Sequence, residues 1–436
     1  MGTLFHKART FPVVTHPLFL LTIVLALSAL SRSASAQTFT VLHTFENMDG
    51  ANPQAALIED SSGNLYSTAE YGGTDQVGTV FKLTSAGQYT DLHQFTDYPD
   101  GARPVAPLLS DGRGDLYGTT YAGGINCLGE FYCGTVFEIN SAGNENILYR
   151  FNGSPDGANP NAGLIHDAKG NAYGTTVFGG ANSNCNYPYG CGTVFEIDRA
   201  GQESVLYSFT GGLDGFQPYG SLVMDSEGHL YGTTEAGGVY NSTCNMGCGT
   251  IFRLTKSGSG WTKQTLFRFT GSNGAEPYAN MIFDKSGNLY GTTLIGGSGT
   301  NCLYLGQQVG CGTVFKLDKS GAESVLYNFT GGSDGAEPQA GLVQDVLGNL
   351  YGTAIYGGSP ACNGGLGCGT VFRLSPSQKL TVVHAFSGGS DGASPVGALL
   401  LGQRALFGTA SIGGDDTCQT QEGGGPGCGT VFEITP

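Results

Sequence analysis

Apolar residues along this chain come in short runs, not in long stripes. Read from residue 205, the run Val205-Leu-Tyr-Ser-Phe209 has strand character, and a polar, Gly-rich loop carries the chain on to Pro218. Ser221-Leu-Val-Met224 predicts a second strand. Asp225-Ser-Glu-Gly228 is a turn whose glycine can take the left-handed conformation that closes a hairpin. Leu230-Tyr-Gly-Thr-Thr234 is the third strand, and a loop over 235–248 leads into the fourth, Gly249-Thr-Ile-Phe-Arg-Leu254. Each is expected to be about five residues long, the common length. No long helical apolar period follows residue 36, so the class is all-β.

The same unit returns along the chain. Gly-Thr-Val/Ile-Phe starts at Gly78, Gly134, Gly192, Gly249, Gly312, Gly369 and Gly429, with successive starts 56–63 residues apart. Self-similarity at a fixed period decides architecture before any local motif does. Four strands per unit and seven units predict a seven-bladed β-propeller filling 37–436 as one domain, a fold in which radial repetition leaves only short protected edges. The ends support closure. An orphan outer-type strand at 38–45 precedes the first blade, and the last strand, at 429–434, lacks an outer partner. Pairing the two seals the ring, whereas an open β-solenoid would show atypical capping repeats. Blades stacked face to face cover both sides of each sheet, so Phe81, Phe137, Phe195, Phe252, Phe315, Phe372 and Phe432 are expected in the core between blades.

The first 36 residues have the pattern of an export signal. Lys7 and Arg9 form a basic start, residues 18–30 an apolar centre, and Ala34-Ser35-Ala36 a small-residue cleavage site. The apolar run falls short of the roughly 20 residues that span a bilayer, and no membrane span is expected in the mature chain. Losing this leader removes three basic residues and no acids, moving the net charge from −16 to −19. Such a balance argues against nucleic acid and anionic membranes as partners. The expected location is secreted or periplasmic.

Cysteines follow the repeats. Units two to seven each hold a pair: Cys127/Cys133, Cys185/Cys191, Cys244/Cys248, Cys302/Cys311, Cys362/Cys368 and Cys418/Cys428. The first unit holds none, and cysteines that come and go together inside one loop read as partners. Six local disulfides are therefore expected in an oxidising compartment, each contributing about 2 kcal/mol on the chain-entropy estimate. Zinc is the rival reading. It favours closer spacings with further Cys or His nearby, and here His43, His93 and His384 stand where other units carry Tyr or Phe, as packing residues.

A recurring acid precedes a glycine in the loop between units, at Asp49, Asp100, Asp156, Asp214, Asp334 and Asp391, with Asn273 in the fifth place. Pro follows three residues after each Gly. The plain reading is an Asx-type turn. The functional one is a ring of carboxylates that binds Ca²⁺ or a polar ligand, although calcium needs six to eight oxygens converging on one point. Asp60, Asp167, Asp225, Asp284 and Asp345 sit in hairpin turns and carry the same plain reading. Two residues break the symmetry in a way that invites ligand contact: Trp261, the single tryptophan, in an insertion, and Tyr304 in the long Cys302–Cys311 loop. No nucleophile elbow, His-Glu-x-x-His or isolated Ser/His/Asp set is found, and no cofactor motif.

The composite of Val-Leu-Tyr-x-Phe, Asp-Gly-Ala-x-Pro, Gly-Asn-Leu-Tyr-Gly-Thr-Thr and Cys-Gly-Thr-Val-Phe resembles the Gloeobacter/Verrucomicrobia-type tandem repeat of exported bacterial proteins, over about residues 38 to 435. That resemblance implies bacterial export and a propeller-like array, with no activity or catalytic residues to transfer. Some members end in a cell-surface anchor; the last residues here do not resemble one, which implies a released protein. The leading functional expectation is a monomeric binding or scaffold module that presents stiffened loops to an extracellular glycan or protein. The alternative is an extracytoplasmic polysaccharide lyase or hydrolase using carboxylates near the central channel.

Overall fold

Seven antiparallel sheets, each of four strands, repeat one hydrogen-bonding plan. The computed structural model describes residues 2, 37–124, 133–182, 185, 189–258, 260–304, 307–403, 405–415, 417–418 and 427–435. Blade 3 stands for the rest: Ile165–His166, Ala172–Thr176, Thr193–Ile197 and Glu203–Ser208 pair in chain order. Blades 1, 2, 4, 5 and 6 cover 58–94, 109–150, 223–268, 282–328 and 343–385 in the same way. Blade 7 takes three strands from 400–435 and its outer strand, Thr38–Thr44, from the other end of the chain. There the Phe45 N–H donates to the Gly429 carbonyl at 3.1 Å, and Phe39 stacks on Phe432 with centroids 5.3 Å apart. The ring is closed as the orphan strands required.

The repeated motifs explain themselves at the seams between blades. In Gly-Thr-Thr, a Cβ on Gly174 would lie 2.5 Å from the Phe195 ring, so only glycine lets that Phe pack flat across the second strand. The first threonine bonds sideways to the next blade: Thr119 to the Ala162 carbonyl at 3.1 Å, Thr233 to Ala279 at 3.2 Å, and Thr409 across the closure to Ala55 at 3.2 Å. The same bond is made at the other four seams. The second threonine stays in its own blade, with Thr176 Oγ1 at 2.8 Å from Thr193 Oγ1. Buried hydroxyls are thereby satisfied without water.

The fully buried third-strand phenylalanines form the core between blades, as expected. Each meets, edge to face, the Phe that ends the outer strand of the preceding blade, with centroids 5.0–5.4 Å apart at all seven seams. Such pairs add about 0.5–1.5 kcal/mol each beyond area burial. The innermost strands differ from expectation. Only two residues of each pair as a strand, such as Val223–Met224. The residues just before them give their carbonyls to the neighbouring blade, as Gly220 does to Thr175 at 3.4 Å, which removes them from their own ladder.

Candidate functional site at the axial mouth

In each unit the Asp-Gly-Ala-x-Pro segment turns from the rim toward the axis, and its residue x is held at positive φ. Asn52, Arg103, Asn159, Gln217, Glu276, Glu337 and Ser394 have φ of 52–58°. None is glycine in a chain with 74 glycines. The left-handed region costs a residue with a Cβ roughly 1–2 kcal/mol, so a side chain is retained at a conformational expense at all seven places. The backbone fixes each one twice. The Glu276 N–H donates to the Cys248 carbonyl at 3.0 Å, and its own carbonyl accepts from Leu294 N–H at 3.0 Å. Corresponding bonds tie Asn159 to Cys133, Glu337 to Cys311 and Ser394 to Cys368. The second cysteine of each loop is thus a direct support of the axial residue in the next blade.

The side chains converge. Glu70, 3% exposed, accepts from Arg103 Nε at 2.9 Å, from Asn52 Nδ2 at 3.0 Å and from the Gln54 side chain. The Arg103 guanidinium lies 5.3 and 5.4 Å from the ring centres of Tyr71 and Tyr121. Tyr219 of blade 4 stacks on Tyr278 of blade 5, centroids 4.4 Å apart. Tyr278 is within electrostatic reach of Glu235 of blade 4, Tyr121 of blade 2 and Glu70 of blade 1. Residues of blades that do not touch can meet only at the axis.

Three further carboxyls stand on consecutive blades without a hydrogen-bonding side chain: Glu235, Glu276 and Glu337. Burial, then the Glu276 charge, pushes Glu235 up to about 8. The same causes push Glu337 up to about 7, and burial alone raises Glu276. Glu235 is half-buried. The Glu276 charge bears on both Glu235 and Glu337, so the three carboxyls form one electrostatic group at the axis.

The residues singled out from the sequence lie elsewhere. Each recurring aspartate occupies its own seam near the rim and is bonded within its own loop and the flanking outer strands. Asp49 accepts from His43 Nε2 (2.9 Å), Asp156 from the Tyr149 hydroxyl (2.9 Å), Asp334 from the Tyr327 hydroxyl (3.0 Å), and Asp391 meets His384 Nε2 at 3.1 Å. Asp100 and Asp214 behave alike with His93 and Tyr207. The seam histidines are therefore hydrogen-bonded as well as packed, because each takes the place of a tyrosine hydroxyl. Trp261 pairs with Lys256 in the elongated hairpin of blade 4 and touches Tyr173 of blade 3 at 6.3 Å, which puts it on the turn face, opposite the disulfide loops. Tyr304 lies in a small hairpin, Leu303–Tyr304 with Gln307–Gln308, inside the Cys302–Cys311 loop.

Five disulfides join Cys185–Cys191, Cys244–Cys248, Cys302–Cys311, Cys362–Cys368 and Cys418–Cys428. Cys133 is also disulfide-bonded, and its expected partner Cys127 lies outside the described residues. Among the described residues no helix is long and apolar enough to cross a membrane. Open clefts between blades 4, 5 and 6 on the turn face are lined by residues such as Asp225, Arg253 and Lys285; Asp225 is bonded within its own turn to the His229 amide, and Arg253 donates to the Gln264 side chain at 2.8 Å.

A model of the Gloeobacter/Verrucomicrobia repeat matches residues 29–186, 128–303 and 299–436. The chain belongs to the Gloeobacter/Verrucomicrobia repeat family. No curated protein matches it. Among solved structures, the extracellular domain of a hybrid two-component system from B. thetaiotaomicron is similar with a TM-score of 0.55 at 9% identity, over 92% of this chain and 40% of that one. This Gloeobacter/Verrucomicrobia repeat protein thus spans two fifths of that domain's length. A gluconolactonase from Xanthomonas campestris aligns over 94% of this chain and 92% of its own, at 14% identity and a TM-score of 0.41. At such identities the first likeness shows the propeller fold alone, and the second adds nothing to it.

Proposed function

We propose that this family member is an exported binding module that takes a hydroxyl-rich glycan end at its axial mouth, on the face that carries the disulfide loops. The supporting observation is the ring of seven left-handed, non-glycine residues, whose backbones agree while their side chains differ. A scaffold role alone would be served by glycine there. The carboxyls of Glu235, Glu276 and Glu337, with the amide of Gln217, offer the mixed donors and acceptors that sugar hydroxyls require. The disulfides and the leader pattern support an oxidising, extracytoplasmic location. The test is glycan-array screening followed by calorimetry on the mature oxidised protein. Binding that is lost in Glu276→Gln and kept in Asp214→Asn supports the axial site; no glycan bound at millimolar concentration overturns it.

A second reading has an observation of its own. Glu235, pushed up to about 8, lies beside the charge of Glu276, which is the pairing of a protonated acid with a carboxylate used in glycoside cleavage. Turnover of a polysaccharide, abolished by Glu235→Gln, would place catalysis ahead of binding alone.

A further inference from the structure

Every seam carries three equivalent positions: the aromatic or His two residues before the outer-strand Phe, the loop aspartate (Asn273 in one seam), and the residue six before the outer-strand Phe of the next blade. Between blades 3 and 4 these are Tyr207, Asp214 and Lys263. The Lys263 ammonium, with its side chain only 2% exposed, sits 2.7 Å from Asp214 Oδ1 and 3.1 Å from Thr265 Oγ1, and also bonds the Asp214 carbonyl. It lies against the rings of Tyr207, Phe209 and Phe252. The seam pocket of this fold therefore houses a cation where the chain supplies one.

Between blades 1 and 2 the same positions are His93, Asp100 and Glu145. One ligand atom from each lies within 4.8 Å of the others, and no second such group occurs among the described residues. Glu145, in the place of the lysine, brings a second carboxylate to the seam instead of an ammonium. Its Oε1 is buried and has no hydrogen-bond partner. His93 Nε2 is 3.2 Å from Asp100 Oδ2. The His93 and Asp100 side chains are 19% and 15% exposed, enough for water to complete a coordination sphere. The adjacent seam, with Tyr149, Asp156 and Glu203, lacks the imidazole.

We propose that His93, Asp100 and Glu145 bind one divalent transition-metal ion of the zinc class. An imidazole nitrogen with two carboxylate oxygens suits Zn²⁺ or Co²⁺ and not Ca²⁺, which takes six to eight oxygens. Ligands about 2.1 Å from a tetrahedral ion stand roughly 3.4 Å apart; the His93–Asp100 pair, at 3.2 Å, is already near that spacing, so it is Glu145 that closes in on binding. The His93–Asp100 hydrogen bond is exchanged for two metal bonds, and the imidazole binds as the neutral tautomer that keeps its one proton on Nδ1. The site is independent of the axial mouth.

The experiment uses the untagged, oxidised, mature protein stripped with chelator, then titrated with Zn²⁺, Co²⁺ and Ca²⁺ by calorimetry, with visible absorption of the Co²⁺ form. Because no cysteine among the described residues is free, thiolate binding does not confuse the result. One ion per chain is expected, with Co²⁺ bands of nitrogen and oxygen ligation and Ca²⁺ bound far more weakly. Glu145→Gln and His93→Tyr should each weaken Zn²⁺ by about tenfold or more. Glu145→Lys, which copies the seam between blades 3 and 4, should abolish binding and still fold by circular dichroism. His93→Tyr uses a residue that three other seams already accommodate, so it reports even if the lysine variant misfolds. No stoichiometric ion, or wild-type affinity in His93→Tyr, overturns the proposal.

Discussion

The rim and the axis of this ring are built on opposite plans. At the seams the side chains recur: a Phe pair and a Thr-to-carbonyl bond in all seven places, with the backbone following. At the axis the backbone recurs, one left-handed residue per blade, while the side chains run through Asn, Arg, Gln, Glu and Ser. Repeated side chains are what uniform packing needs. A repeated and costly backbone with varied side chains is what a shaped ligand surface needs. The difference separates stability from recognition within one repeat unit, and substitutions can test that separation.

The largest effect should come from a seam. Phe252 is fully buried and lies 5.2 Å from Phe209, so Phe252→Ala leaves a cavity between blades 3 and 4. A loss of about 3–5 kcal/mol is expected from denaturant unfolding, with ligand affinity unchanged below the transition. A loss under about 1 kcal/mol would mean that the seams are not what holds the ring together. Next in size, Cys362→Ser with Cys368→Ser opens a loop of sequence separation 6 and should cost about 2 kcal/mol. The Cys368 carbonyl holds the Ser394 amide at 2.8 Å, so hydrogen exchange at Ser394 should quicken more than at the seam threonines. Equal acceleration at both would break the proposed link from loop to axis.

The axis predicts a trade-off instead of a loss. Glu276 sits at φ 57°, so Glu276→Gly relieves local strain and adds flexibility to the unfolded chain. These oppose each other, and the net change in stability should stay within about 1 kcal/mol. Ligand binding should nevertheless disappear. If Glu276→Gly binds normally, the left-handed ring serves the fold and not a ligand.

What the sequence made legible follows the same division. Blade count, closure and the Phe core were readable because Gly-Thr-Val/Ile-Phe repeats side chains, and a repeated side chain can be seen without coordinates. The aspartates drew attention for that reason too, since Asp-Gly recurs, yet each one is engaged within its own seam. The axial residues were hidden because x of Asp-Gly-Ala-x-Pro varies between flanks that do not. Its signal was the contrast: a variable polar position pinned between an Ala, replaced once by Phe216, and a constant Pro. Glu235 carried even less signal, since its counterparts include Tyr121, Val177 and Leu294, and only closure of the ring brings them together. The seam cation position was also in plain view, six residues before each outer Phe, where Lys263 replaces Glu145 and Glu203.

The contrast that opposes two regions within a single measurement is the pH dependence of stability. The hairpin-turn aspartates and the axial glutamates titrate on opposite sides of their usual values. Burial would raise Asp60, but hydrogen bonds from Asn64, Tyr66 and Ser62 outweigh it and hold the carboxyl below 3.8, and Asp284 and Asp345 follow the same pattern. A carboxyl lowered in the folded state stabilises above its unfolded value and loses that contribution as acid protonates it. Glu235 and Glu337 are raised from 4.5 to about 8 and about 7. Between these limits the folded chain holds protons that the unfolded chain has released, so stability falls as pH rises through that window. Melting midpoints should therefore drop on both sides of a maximum near the ordinary carboxylate range. The net charge of −16 adds an alkaline decline of its own through self-repulsion, and the single variant Glu235→Gln separates the two causes. It should flatten the decline from about pH 5 to 8 while leaving the acid limb untouched, whereas Asp284→Asn should do the reverse. An alkaline limb unchanged in Glu235→Gln would mean that Glu235 ionises as freely as an exposed glutamate, and that the axial mouth is open water instead of an enclosed binding surface.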